Sequence, residues 1–175
     1  RVGGAAEGSS VLRDYVWQKG ATGLRLLEAL SRAADGGGRG RLLLDENGTP
    51  DLDAELAELH QHPNVEIRLF NPFVLRFPRT ATYVLDFGRV NRRMHNKSFT
   101  VDGVATVVGG RNIGDIYFAH SEAVNYFDLD VIALGPAAHD VAQVFYLFWA
   151  SPSAVPADFS LTPAGYHSGL SILNI

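Results

Sequence analysis

Residues 11–17 (VLRDYVW) are a short run rich in β-branched and aromatic side chains, the pattern of a strand. Over 22–34 the period changes. Leu24, Leu27, Leu30 and Ala34 recur every three or four residues, Leu26 and Ala33 widen the same face, and an amphipathic helix is predicted. Asp35 and the glycines at 36–38 end it, as glycine past a helix C-terminus commonly does. The continuous apolar run at 41–45 (RLLLD) predicts a strand covered on both faces. Thr49 places a capping hydroxyl ahead of Pro50 at a first helical position, so a second helix is expected over 51–61. Residues 65–70 return to the strand pattern. Strand, helix, strand, helix, strand is the order of an α/β layered fold.

The periodicity then fails over 71–87, where Pro72, Pro78 and scattered aromatics predict a long loop, a length more often functional than idle inside a compact domain. Segments 97–101 and 105–108 flank Asp102-Gly103, a strong hairpin signal. Another apolar strand is expected at 129–134. Gly135-Pro136 opens a last helix to about residue 150, with Val141, Val144, Phe145, Phe148 and Trp149 as its apolar stripe. Prolines at 152, 156 and 163 predict a linker or tail over 151–175, and the small residues of 1–10 predict a poorly ordered N-terminal segment. The expected architecture is a single α/β domain over 11–150, a mixed β-sheet sandwiched between helices.

Composition narrows the function classes. With 175 residues, 46% apolar, 19% charged and a net charge of −4, the chain has the make-up of one folded domain, and the acidic balance disfavours a general nucleic-acid binder. The absence of cysteine excludes disulfides, thiolate metal sites and a cysteine nucleophile within these residues. No apolar run reaches the ~18 residues of a membrane span, so membrane contact, where it exists, is expected to be peripheral. The sequence opens on Arg1 and its one methionine is Met94, which reads as a fragment or a processed form. Of 15 basic residues only two are lysine, Lys19 and Lys97.

Lys97 belongs to the one distinctive constellation. Among histidines at 60, 62, 95, 120, 139 and 167, His95 is followed by Lys97 and Asp102 in the spacing H-x-K-x4-D, which random scatter of these residue types produces in about 0.5% of such chains. Six residues further on comes Gly109-Gly110-Arg111-Asn112, and then the strand carrying Asp128 and Asp130. Positions two apart on a strand face one side, so His95 and Lys97 are expected to share a cleft. A lysine gives a compact positive charge for a phosphate oxygen, and the imidazole beside it gives a nitrogen nucleophile or proton carrier. Asn112, presented by the Gly-Gly turn, offers an amide to the same phosphate, and backbone N–H groups around Gly109 and Gly110 offer further donors. An attacking imidazole needs its other nitrogen held by an acceptor; Asp130 is the first candidate and Asp128 the second.

This pattern resembles the phospholipase D superfamily, whose motif H-x-K-x4-D-x6-G-G/S-x-N is matched by His95, Lys97, Asp102, Gly109, Gly110 and Asn112. The flanking stretches 87–99 (FGRVNRRMHNKSF) and 108–115 (VGGRNIGD), with 42–48 (LLLDENG) and 68–73 (RLFNPF), resemble the N-terminal half of the bacterial cardiolipin synthase C type, over roughly 11–151. The resemblance implies metal-independent phosphodiester transfer or hydrolysis on phospholipids, with no cofactor. His95 would form a covalent phosphohistidine, Lys97 and Asn112 would hold the non-bridging oxygens, and Asp102 would organise the hairpin and the lysine. It also implies a second motif, whose histidine protonates the departing alcohol. That motif is not in these residues: Lys97 is already used, and Lys19 has Trp17 two positions before it. The expected partners are therefore a phospholipid and a second motif-bearing half or a dimer partner, at a bacterial location in the cytoplasm or peripheral to the inner membrane.

Simpler readings stand beside several of these. Asp102-Gly103 and Gly109-Gly110 also serve as ordinary turns, and Asp130 as a strand-end acid. Arg89, Arg92 and Arg93 read equally as attractors of anionic headgroups or as a solvated face. Phe70, Phe73, Phe77 and Tyr83 either line a lipid-accepting mouth or pack beneath their loop. A phospholipase D-like nuclease, or an inactive fragment whose role is assembly, are the alternative functions.

Overall fold

The computed structural model describes residues 8–73, 88 and 91–157. In chain order it contains β1 (Ser9–Asp14), α1 (Ala21–Asp35), β2 (Arg39–Asp45), a 3-10 turn (Glu46–Gly48), α2 (Asp53–His60) and β3 (Val65–Phe70). There follow β4 (Lys97–Val101), β5 (Ala105–Gly109), a second 3-10 turn (Asp115–Tyr117), β6 (Asp130–Leu134), α3 (Pro136–Trp149) and β7 (Ala154–Pro156). The seven strands form one mixed sheet in the order β6-β5-β4-β1-β2-β3-β7. β1, β2 and β3 run parallel to one another, and the flanking strands join antiparallel.

Alternation along the strands explains the layers. Leu42 and Leu44 of β2 join Leu12, Ile67 and Leu69 against Leu27 and Leu30 of α1 and Leu56 and Leu59 of α2. Leu43, between them, points to the opposite face, where Val11 and Phe70 meet Phe145 and Trp149 of α3. All three leucines are buried, as a strand with both faces covered requires. Full burial of each such side chain contributes about 1.5–3 kcal/mol. The expected mixed sheet between helices is the architecture found.

Four boundaries differ from the sequence reading. The first strand stops at Asp14, because its carboxylate accepts the Val16 N–H at 3.0 Å and turns the chain out of the sheet. Trp17 is then fully buried as an isolated bridge partner of Ile113, its indole N–H donating to the Gly23 carbonyl. Thr49 is not a helix cap: its hydroxyl donates to the Glu46 carbonyl, Asp51 sits at φ +61°, and α2 starts only at Asp53. The stretch after Ser151 does not begin as a linker, since β7 pairs antiparallel with the outer edge of β3, where a proline is tolerated. At the other end, Ser9 and Ser10 of the expected poorly ordered segment belong to β1. Val144 of the predicted apolar stripe is exposed, and Ala138 and Ala142 take part in the buried face of α3 instead. Most of the predicted loop over 71–87, with Phe77 and Tyr83, lies outside the described residues, as do Arg89, 1–7 and 158–175.

Candidate active site

The sheet topology brings the motif to one rim. β4 runs antiparallel to β1, so its first residue, Lys97, lies beside the C-terminal end of β1; β5 ends there with Gly109 and β6 begins there with Asp130. The register makes Lys97, Gly109 and Asp130 direct neighbours across three strands. The carboxyl end of a parallel sheet is also where ligands of open α/β folds bind.

His95 falls just ahead of β4 rather than within it, yet it meets Lys97 as expected. The buried Lys97 ammonium donates to the His95 carbonyl at 2.9 Å and lies 3.4 Å from Nδ1, while the imidazole itself is exposed. Tyr15 completes the cluster. Its ring packs 4.7 Å from the imidazole, centroid to centroid, and 5.5 Å from Lys97 Nζ, where the aromatic face attracts the cation. The sequence reading missed Tyr15 because it counted it as one more residue of the first strand. Its signal was positional, an aromatic at the end of a central strand. Asn112 is buried close by in sequence to Ile113, which holds the Val16–Gln18 segment through two backbone hydrogen bonds, and the Asn112 amide oxygen has no hydrogen-bond partner.

Other predicted residues are placed differently. Asp130 does not hold the imidazole: it is bound to Arg111, at 2.9 Å from Nε and 3.4 Å from the backbone N–H. Arg111 also donates to the Asp128 carbonyl at 3.0 Å and lies over the Phe118 ring. Among the described residues no carboxylate is hydrogen-bonded to the His95 ring. Gly109 and Gly110 are seats for carboxylates, since a Cβ at either position would collide with Asp130 or Asp128 respectively. The N–H groups of Gly110 and Arg111 point to Leu129 and Asp130, so the turn is not an open phosphate cradle. Asp102 stands at the far end of β4, about 16 Å from Lys97 at strand rise, and accepts the Ser9 N–H at 2.6 Å while donating its own N–H to the Ser9 carbonyl. It pins the hairpin to β1 and does not touch Lys97. Of the arginines before the motif, Arg93 is neither solvated nor free for a headgroup, being paired with the buried Asp45 at 3.0 Å, whereas Arg92 is exposed.

Asp14 is the remaining charged group at the floor. It lies one step beyond the Arg13–Ser98 pair, next to Lys97, and lines with it a cavity of about 160 Å³ that also reaches Arg111 and Asp130. Burial pushes its carboxyl up to about 7, against the pull of the Val16 N–H and the Lys97 charge, with Asp130 adding to the rise. Burial likewise lowers Lys97, opposed by Asp14 and Asp128. The folded protein therefore keeps the Asp14 proton between about pH 4 and 7, where the unfolded chain has lost it, so this group's contribution to stability is present below about pH 4 and lost as pH rises through about 7. Asp14→Asn is expected to raise the urea midpoint at pH 8 and to flatten the pH dependence in that window; an unchanged pH profile would show that Asp14 ionises normally in the fold.

Comparison with known proteins follows the same lines. No protein-family model matches the chain. Over 156 residues, 89% of this chain, it is 52% identical to cardiolipin synthase C of Escherichia coli, covering 33% of that protein. It is 29% identical over 143 residues to the major cardiolipin synthase ClsA of Bacillus subtilis, covering 81% of this chain and 28% of the other. The chain thus spans about a third of the length of the curated relatives it matches. Among solved structures, phosphatidylserine synthase from Haemophilus influenzae shares the fold with a TM-score of 0.61 at 15% identity, over 89% of this chain and 35% of that one. NucT from Helicobacter pylori does so with 0.58 at 13% identity, over 85% of this chain and 81% of the other. Motif, sheet and sequence agree on one kinship: the chain resembles the phospholipase D superfamily, and within it the cardiolipin synthases of bacteria.

Proposed function

We propose that this chain provides one half of a metal-independent phosphatidyltransferase active site that acts on phospholipids through a phosphohistidine. The observation that carries the reading is the exposed His95 ring held against a buried lysine at the rim of the sheet, with Tyr15 backing both. His95 attacks the phosphorus, a nitrogen–phosphorus bond forms, and the alcohol leaves with a proton from a second histidine. The acceptor alcohol or water gives its proton back to that histidine as it displaces His95. Lys97 and Asn112 hold the non-bridging oxygens and offset the charge that builds on them.

Two observations support a second half. His95 has no carboxylate partner among the described residues, Asp130 being bound to Arg111. The edge strand β6 exposes Val131, Ile132 and Leu134 beside Asp130, a large apolar edge for a solitary domain. That half belongs either to the same polypeptide, as the threefold length of the relatives suggests, or to a second copy. No helix of the described residues is long and apolar enough to cross a membrane, and contact with the lipid surface is proposed as peripheral, on the cytoplasmic side of a bacterial inner membrane.

Purified chain, alone and joined to a second motif-bearing half, is to be incubated with vesicles of phosphatidylglycerol and phosphatidylethanolamine and, separately, with DNA. Lipid product from the joined form only is the expected result. Product from DNA alone overturns the lipid reading; turnover by a demonstrably monomeric chain, lost in His95→Ala, overturns the need for a second half.

A further inference from the structure

Directly behind the site, on the α3 side of the sheet, β1 carries a cation that the mechanism above does not use. Arg13 is only 4% exposed, yet its Nε and Nη1 have no hydrogen-bond partner, and among the described residues no carboxylate is bonded to it. Among the described residues its compensating contact is the Phe148 ring, 4.9 Å from the guanidinium carbon. Asp14, the next residue, alternates to the other face of the sheet. Ser98, its direct cross-strand neighbour, is buried as well, and its hydroxyl is also without a partner. Burial lowers Arg13 to about 10, so it stays charged at neutral pH and its desolvation is not relieved by losing a proton.

A cavity of about 360 Å³ opens beside Arg13, bounded by Asn96, Lys97 and Gly109 from the motif and by Asp140, Val141 and Val144 of α3. An uncompensated buried cation next to an open cavity calls for an anion. We propose that this cavity binds a phosphate group, with the Arg13 guanidinium as donor, at a site distinct from the His95 imidazole, Lys97 bordering both. A tetrahedral phosphate has enough oxygens to meet the guanidinium and still face the cavity mouth, and charge-assisted bonds to a guanidinium are the strong ones. Asp140 is the carboxylate that lines this cavity; it is exposed and not bonded to Arg13, and it opposes the anion. The phosphate is either that of a second lipid headgroup, in which case the inference rests on the proposed lipid chemistry, or a free phosphate, in which case it does not.

Calorimetric titration of the 175-residue chain with inorganic phosphate, and with dihexanoyl phosphatidylglycerol as a monomeric lipid, tests this without turnover. Wild-type chain is expected to bind one or both ligands. Arg13→Gln should weaken binding by at least about tenfold, the loss of one charge-assisted contact, while unfolding no more easily than wild type in phosphate-free buffer. Asp140→Asn, at an exposed position, should tighten binding, and His95→Ala should bind through the Arg13 site unchanged. Dependence on Arg13 for the lipid assigns a headgroup phosphate; dependence for inorganic phosphate alone assigns a free one. Equal binding by Arg13→Gln, a loss of its stability in phosphate-free buffer, or no gain from Asp140→Asn overturns the proposal. Failure of lipid turnover with Arg13-dependent phosphate binding intact would sink the catalytic reading and leave this one standing.

Discussion

His95→Ala is expected to lower phosphodiester turnover by at least ~10⁴-fold in the form of the protein that carries both halves, the scale of loss seen when a covalent nucleophile is removed. The reasoning is geometric. The imidazole is exposed and, among the described residues, makes no hydrogen bond that the fold depends on; it meets the Tyr15 ring and lies 3.4 Å from the Lys97 ammonium. The carbonyl of residue 95, which receives the stronger Lys97 bond, survives the substitution. Stability should therefore stay within about 0.5 kcal/mol of wild type, as for an exposed position without a structural role. Urea unfolding and rate measurement on the same sample separate the two effects. Detergent denaturation at mildly alkaline pH, where the nitrogen–phosphorus bond survives, after brief exposure to substrate labelled in its phosphate should trap label on wild-type chain and none on the variant. A variant that keeps most of its rate would show that another residue attacks the phosphorus.

The second large effect is on folding and concerns Asp45→Ala, with an expected loss of about 3–5 kcal/mol. Asp45 is completely buried at the end of β2, and its two oxygens accept from the Asn47 N–H at 3.0 Å, the Arg93 guanidinium at 3.0 Å and the Met94 N–H at 3.1 Å. Removing the carboxylate takes away the acceptor shared by a largely buried guanidinium and two backbone N–H groups, beside the Phe73 ring that stacks on Arg93. Because Met94 directly precedes His95, the same change loosens the segment that aims the imidazole, and turnover should fall with stability. Replacing both charges, Asp45→Leu with Arg93→Met, is expected to recover part of the loss relative to Asp45→Leu alone, since the stranded cation is gone. Urea midpoints of the single and double variants measure this. Additive losses would mean that the pair is not coupled.

Much of this site is visible in the residue order because its chemistry is local. The spacing His95, Lys97 was enough to place an imidazole beside an ammonium, and the run 41–45 was enough to place a strand with both faces covered. What was not visible depends on which strand lies beside which. That β1 sits in the middle of the sheet, next to β4, is a fact of topology, and it alone brings Asp14 and Tyr15 to the motif lysine. The competition for Asp130 was hidden for the same kind of reason: a carboxylate near a histidine in the expected order of strands is also near Arg111, and a flexible guanidinium one turn away reaches it first. The Thr49-Pro50 cap failed on a single backbone angle at Asp51, which no propensity of its neighbours announces.

The aspartate of the motif acquires a plain meaning from its place at the far end of β4. Its backbone and side chain grip Ser9 at the start of β1, and Asp102 and Gly103 turn through positive φ between β4 and β5. Four residues separate that grip from Lys97, so the interval in the motif is a ruler laid along one strand. Lengthen it by one residue and the side-chain alternation would carry the lysine through the sheet to the side of Arg13. The spacing, in this light, is a measure of handedness as much as of distance: it decides on which side of a seven-stranded wall a single positive charge comes to rest.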